Sequence, residues 1–230
     1  MDLWMSNILA VLFDLDGLLA DTEELHVRAY KAAFDTIGIT ASEEELYHGM
    51  GVSTRENVER IIKDHGIPSE RTDEIIRLRY EAYYRLVQST PLSFMDGALD
   101  CLKYVLEKGL RRALVTSSIR RHAEAVLENL QSHADSGIRL DHYFEDRTYG
   151  DEIKKSKPEP EIYLKALERM NIRPEYCIAL EDSEAGVISA KTAGIRVFAV
   201  PNRHTRNHHF DRADRVLGSL EEIPRRALLD

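Results

Sequence analysis

At 230 residues, 43% hydrophobic and 31% charged, the chain carries enough apolar material for one sizeable core, or for a core with a smaller module attached. The formal net charge of −9 argues against a nucleic-acid binder, which normally shows a basic face, while an anionic small-molecule substrate stays open because a cleft can be locally positive. Cys101 and Cys177 each sit in an apolar stretch and read as buried reduced thiols, not as a metal-spaced pair; with no secretory signal, this points to a cytoplasmic protein.

The first predicted element is the apolar run over 8–13. It lacks period-2 alternation and closes on Asp14-Leu15-Asp16-Gly17, the pattern of a strand buried on both faces of a parallel sheet. No basic region precedes it, and it is too short for a signal peptide or a membrane span, so no membrane partner is expected.

From Thr22 to about Gln88 the texture is helical, with no convincing strand. Leu25, Ala29, Ala33 and Ile37 make one stripe, and Ile75, Leu78, Ala82 and Leu86 make another. Ser42-x-x-Glu45 and Ser53-x-x-Glu56 are capping-box patterns that start two further helices. Gly38, Gly49, Gly51 and Gly66 with Pro68 punctuate the segment, and Tyr80, Tyr83 and Tyr84 are assigned to packing. The whole reads as a helical module inserted after the first strand, with connections near 17–21 and 89–96.

Beyond it strand and helix alternate. Strands are predicted over 110–116, 176–180 and 196–200, and helices over 100–107, 119–130, 161–170 and 183–193, with Pro160 suited to a first helical turn. That alternation predicts an α/β sandwich around a mainly parallel sheet, whose ligands gather at the carboxyl ends of the strands. His204, His208 and His209 fall in a basic loop over 202–209, assigned to surface and not to a metal site.

Four patterns carry chemistry. In Asp14-Leu15-Asp16-Gly17, residues two apart on a strand point to one side, so two carboxylates stand together where packing asks for neither. A divalent cation or a shared proton would relieve the repulsion; a solvated Asp-x-Asp-Gly turn is the plain alternative. Glu181-Asp182-Ser183 closes another apolar run with paired acids, a donor set that suits Mg²⁺, while Ser183 can simply cap the next helix. Thr116-Ser117-Ser118 offers hydroxyls and helix-start amides to a phosphate oxygen, or a cap. In Lys154-Lys155-Ser156-Lys157-Pro158, Pro158 favours an extended Lys157 whose ammonium could screen an anionic site, against the alternative of a solvated basic loop.

In this order the four resemble the haloacid dehalogenase superfamily of aspartate-dependent phosphotransferases. Glu181-Asp182-Ser183-Glu184-Ala185-Gly186 is most similar to the branch with β-phosphoglucomutase and phosphoglycolate-type phosphatases. The resemblance spans roughly 11–200. It implies a Rossmann-like parallel-sheet core at 1–20 and 93–230 and an all-helical cap at 21–92. It also implies Asp14 as nucleophile, Asp16 as acid and base, Thr116 and Ser117 on the phosphoryl group, and Lys157 as a second cation. Mg²⁺ is then expected on Asp14, the Asp16 carbonyl and Asp182, with Glu181 nearby or coordinating. His26, Tyr30 and Arg55 are the substrate-binding candidates of the cap. His26 and Tyr30 share a helix face, and Gly51-Val52-Ser53-Thr54-Arg55 is similar to the mutase cap's Gly-Val-Ser-Arg, with Thr54 extra.

The implied activity is a Mg²⁺-dependent phosphatase of a small phosphorylated metabolite. A sugar-phosphate mutase is the alternative; a dehalogenase or a silent binding module is disfavoured because every catalytic carboxylate is present. Oligomeric state is open and compatible with a monomer.

Overall fold

The computed structural model describes residues 7–48, 53–133 and 139–225, so Gly49, Gly51 and Val52 of the predicted cap lie outside the described residues. Six strands, β1 (Ala10–Phe13), β2 (Arg111–Thr116), β3 (Asp146–Tyr149), β4 (Cys177–Glu181), β5 (Arg196–Ala199) and β6 (Arg215–Val216), form one parallel sheet in the order β3-β2-β1-β4-β5-β6. This is the α/β fold the sequence predicts.

The continuous apolar runs arise because both faces of the sheet are covered. Residues two apart share a face, so Val11 and Phe13 of β1, with Leu114, Leu180 and Phe198, meet helices α5 (Ala98–Glu107) and α6 (Arg120–His133). On the other face the side chains are mostly small, with Ala10, Ala113, Ala179 and Ala199 letting α8 (Glu161–Met170) and α9 (Glu184–Thr192) pack through Ile162, Tyr163 and Val187. Short helices α7 (Leu140–Tyr143) and α10 (Glu222–Arg225) complete this part. Strands β3 and β6 escape sequence detection because they are edges. The sequence of β3, Asp-Arg-Thr-Tyr, has no apolar run and rests on polar contacts such as Arg147 with Glu124.

Between β1 and β2 the described residues of the insertion form helices joined by short turns, α1 (Glu23–Thr36), α2 (Glu43–His48), α3 (Thr54–Asp64) and α4 (Thr72–Ser89). Both capping boxes start helices. Glu45 N–H donates to Ser42 Oγ (3.2 Å) while Ser42 N–H donates to Glu45 Oε2 (2.7 Å), and Glu56 N–H donates to Ser53 Oγ (3.2 Å). The four helices share their own cluster, centred on Phe34, Leu46, Val58, Ile61 and Ile75. The stripe predicted for α4 is rotated: the buried positions are Ile75, Arg79, Ala82, Tyr83 and Val87, while Leu78 and Leu86 are half-buried.

The two connections to the insertion run side by side in opposite directions. Asp21 N–H donates to the Ser93 carbonyl (3.1 Å) and Met95 N–H to that of Leu19 (3.0 Å). Cys101 and Cys177 are buried and free. Among the described residues no helix is long and apolar enough to cross a membrane.

Candidate active site

Because β1 lies between β2 and β4, the first residue past it faces the ends of both. Phe13 is level with Leu114 and with Leu180, which puts Asp14 beside Val115 and Glu181. Lys157, only 7% exposed, reaches this point from the loop before α8. Its ammonium spends its donors on Asp14 Oδ1 (2.6 Å), Glu181 Oε1 (2.6 Å) and the Val115 carbonyl (3.1 Å). Tyr163 also donates its hydroxyl to Glu181 Oε1.

Asp14, Glu181 and Asp182 offer carboxylate oxygens that all lie within 4.8 Å of one another, and all three residues are buried. One ammonium cannot neutralise three carboxylates. Burial accordingly pushes the Asp14 carboxyl up to about 7 against the pull of Lys157, and burial with the charges of Asp14 and Glu181 raises Asp182 well above its usual range. Among the described residues Glu181 Oε2 has no hydrogen-bond partner, and Gly186 is needed because a Cβ there would collide with it. An orphaned buried oxygen in an excess of hard donors fits a small divalent cation.

Asp16 is held apart from this group. Gly17 turns the chain at φ +79°, a conformation that favours glycine. The Asp16 carboxylate then accepts from Thr22 Oγ1 (2.7 Å), Ser118 Oγ (2.7 Å), Tyr83 OH (3.1 Å) and, weakly, Thr116 Oγ1 (3.4 Å). His26 Nε2 stands 3.2 Å from Asp16 Oδ1. The two aspartates of the first motif therefore do not form the side-by-side pair that strand geometry predicts, because β1 ends at Phe13 and the turn divides them.

The His26 tautomer follows from its other neighbour. Arg79 Nη2 meets His26 Nδ1, and a guanidinium can only donate, so Nδ1 carries the lone pair and Nε2 the proton. His26 is thus neutral and donates to Asp16. Burial, with the Arg79 charge adding to it, holds the imidazole below its ordinary range, although the Asp16 charge opposes this. Burial alone would raise Asp16, yet the charge His26 carries when protonated, followed by the hydrogen bonds from His26, Ser118 and Thr22, holds it below the carboxylate range. Arg79, 5% exposed, is wrapped by the rings of Tyr30, Tyr80 and Tyr83 at 4.9–5.6 Å from their centroids.

Of the predicted site residues, Asp14, Asp16, Thr116, Lys157, Glu181, Asp182 and His26 meet at this sheet edge. Ser117 sits beside Thr116 with its side chain exposed. Two assignments change. Tyr30 packs against Arg79 and Phe34 with almost no exposed surface. Arg55 is paired with Asp73 (2.6 Å) and Glu59 (3.5 Å) on an exposed face, about ten residues along α4, or roughly 15 Å, from Tyr83. The Asp16 carboxylate lies outside the acidic trio; the metal ligand expected of Asp16 is its main-chain carbonyl. Sequence reasoning passed over Arg79 and Asn202, read Ser118 only as part of a phosphate-binding or capping motif, and assigned Tyr83 to packing. The signal for Arg79 and Tyr83 was a charge and a phenol four apart on a buried helix face.

His122, on α6, is buried against Tyr80 and Tyr83 and hydrogen-bonds the Tyr80 carbonyl (3.0 Å). Burial, reinforced by the Arg79 charge, pushes it down to about 4. A histidine depressed when folded binds its proton more readily unfolded, so stability is retained above about 6.5 and lost as pH falls toward 4. At about 1.4 kcal/mol per pH unit the loss approaches about 3 kcal/mol. Denaturant unfolding of wild type and His122→Gln at pH 7 and pH 4 should show the variant losing less by about that amount; parallel losses would refute the assignment.

The family model for haloacid dehalogenase-like hydrolases matches residues 11–200. The chain is 36% identical over 192 residues to the phosphorylated carbohydrates phosphatase of Thermotoga maritima, covering 83% of this chain and 84% of that protein. It is 31% identical over 196 residues to the β-phosphoglucomutase of Bacillus subtilis, covering 83% and 81%. The crystal structure of CbbY from Rhodobacter sphaeroides in complex with phosphate superposes with a TM-score of 0.83 at 31% identity, over 94% of this chain and 96% of that one.

Proposed function

Since the chain belongs to the haloacid dehalogenase-like hydrolases, in the branch of β-phosphoglucomutase and phosphoglycolate-type phosphatases, we propose that it is a Mg²⁺-dependent phosphatase of small phosphorylated sugars or related acids. One observation carries this reading: the two aspartates of one motif have separate surroundings, Asp14 among carboxylates and an ammonium, Asp16 among neutral donors. That separation suits a nucleophile and an acid–base group working on the same phosphorus.

In the proposed reaction an Asp14 carboxylate oxygen attacks phosphorus and the ester P–O bond breaks. The incoming anionic phosphate raises the Asp16 pKa by like charge, so Asp16 takes up a proton from solvent as substrate binds and passes it to the departing oxygen. A water then attacks the aspartyl-phosphate, gives its proton to Asp16 and releases inorganic phosphate, restoring Asp14. Lys157 holds Asp14 in line and balances charge, and Thr116 with the Ser117 amide receives the phosphoryl oxygens. Asp14, Glu181, Asp182 and the Asp16 carbonyl would hold Mg²⁺. When bound, the ion supplies the positive charge that lets an anionic nucleophile approach an anionic substrate.

Residues 21–92 are proposed to act as a cap on a core formed by 1–20 and 93–230. Asp14 is nearly enclosed, and Asp16 draws hydrogen bonds from His26 and Tyr83 of the insertion as well as from Ser118 of the core. Opening about the paired connections would admit substrate, and closing would assemble the acid–base group and exclude water.

Phosphate release from a panel of sugar phosphates and phosphorylated acids, with Mg²⁺ and with chelator, tests the reading. Mg²⁺-dependent release is expected. The similarity to a β-phosphoglucomutase supports one second reading, a mutase. Isomerisation of a sugar phosphate on adding a bisphosphate activator, without free phosphate, would replace the phosphatase by it.

A further inference from the structure

Asn202 opens the loop after β5, in a stretch whose composition reads as surface, yet it is buried. Its side chain has a fixed orientation. The Oδ1 accepts the main-chain N–H of His204 (2.8 Å) and of Thr205 (3.2 Å), while Asn202's own N–H donates to Thr205 Oγ1 (3.0 Å). With its oxygen committed to the loop, the NH₂ must point the other way, toward acceptors only. Nδ2 lies 2.9 Å from Asp182 Oδ2, 3.0 Å from the Gly17 carbonyl and 3.1 Å from Glu23 Oε1.

This places one neutral amide between a carboxylate of the acidic trio and the buried carboxylate of Glu23, in the first turn of α1. Without it the two acids would face each other through a poorly solvated gap, and Asp182 would have a second side-chain orientation open to it. Gly17 is part of the same packing, since a Cβ there would stand 2.6 Å from Asp182 Oδ2 and 2.7 Å from Asn202 Nδ2.

We propose that Asn202 is a positioning residue for metal binding: by holding Asp182 Oδ2 and standing between it and Glu23, it fixes the orientation of the Asp182 carboxylate beside Asp14 and Glu181. The proposal rests on the metal-dependent reading of the acidic trio. Outer-shell hydrogen-bond partners of metal ligands commonly account for about 10–100-fold in metal affinity, which sets the expected size of the effect.

The test is Mg²⁺ titration calorimetry, free of substrate, on four proteins. In Asn202→Ser the shorter hydroxyl can still accept the two loop N–H groups, as serine does in turns, but cannot reach Asp182. Thr205→Val removes the hydroxyl that the Asn202 N–H bonds while keeping the amide. Asp182→Asn reports on the trio itself. The expected result is a Mg²⁺ affinity about 10–100-fold weaker in Asn202→Ser, within about twofold of wild type in Thr205→Val, and abolished in Asp182→Asn. Wild-type affinity in Asn202→Ser, with Asp182→Asn still abolishing binding, would overturn the positioning role and leave the metal site standing. An equal loss in Asn202→Ser and Thr205→Val would overturn it too, by assigning the effect to the loop. Absence of Mg²⁺ binding by the wild-type protein would remove the metal-dependent reading and the proposal with it.

Discussion

Replacing Asp14 by asparagine is expected to lower phosphate release by about 10⁴-fold or more, the scale on which removing a nucleophile acts, without loss of stability. Asparagine is nearly isosteric and keeps an oxygen that can accept from Lys157, so the hydrogen bond at 2.6 Å has a replacement. What disappears is the charge that attacks phosphorus. The same charge is costly in the folded protein: Asp14 is buried beside Glu181 and Asp182, and its carboxyl is raised to about 7. An uncharged amide there removes repulsion, so the variant should melt at or above the wild-type temperature in the absence of Mg²⁺. Activity and melting temperature measured on one preparation decide the matter. Retention of even a tenth of wild-type turnover would exclude Asp14 as the nucleophile, and inactivity accompanied by a large fall in melting temperature would leave its chemical role unsupported.

Lys157→Met is expected to cost stability first and activity as a consequence. The ammonium is the cation seen in contact with Asp14 and Glu181 among the described residues, at 2.6 Å from each. Methionine keeps most of the length and apolar stem while leaving buried carboxylates uncompensated. Breaking a buried charge pair by removing one partner typically costs about 3–5 kcal/mol. At about 2–4 °C per kcal/mol for a chain of this size, that is a fall of roughly 6–20 °C in melting temperature. Mg²⁺ should restore part of the loss, because a divalent charge among Asp14, Glu181 and Asp182 meets the need the ammonium met. The recovery on adding Mg²⁺ should therefore be larger in Lys157→Met than in wild type. A variant as stable as wild type without Mg²⁺ would show that the carboxylates do not depend on Lys157.

The elements legible in the sequence were those whose surroundings impose a local pattern. Strands β1, β2, β4 and β5 are covered on both faces, which demands an unbroken apolar run, and each was visible. Strand β3 pairs on one edge only, so Asp146 and Arg147 are tolerated and its run is absent. Helix α4 was visible as a helix, and Ile75 and Ala82 of its predicted face are buried, but the rest of the buried face was not visible. The apolar residues suggest Leu78 and Leu86, while the structure turns Arg79 and Tyr83 inward because they serve a site on another part of the chain. A helical periodicity built on hydrophobic residues cannot anticipate a buried guanidinium.

The chemistry-bearing residue types and their order along the chain, together with the α/β class and the helical insertion, could be read from one sequence, since strand ends, caps and turns are set by neighbours a few positions away. Which oxygen meets which donor could not. Asp16 finds Tyr83 across 67 positions and Ser118 across 102, and Asn202 finds Gly17 across 185. These contacts depend on strand register, on the rotation of α4 and on the course of the loop after β5, all of which are settled by packing over the whole molecule. The same holds for Arg55, whose motif pointed to the substrate and whose side chain is paired with Asp73. Local spacing specifies which groups stand at the end of an element. Only the packed tertiary structure, by excluding water and fixing every neighbour, assigns each group its partner and hence its charge.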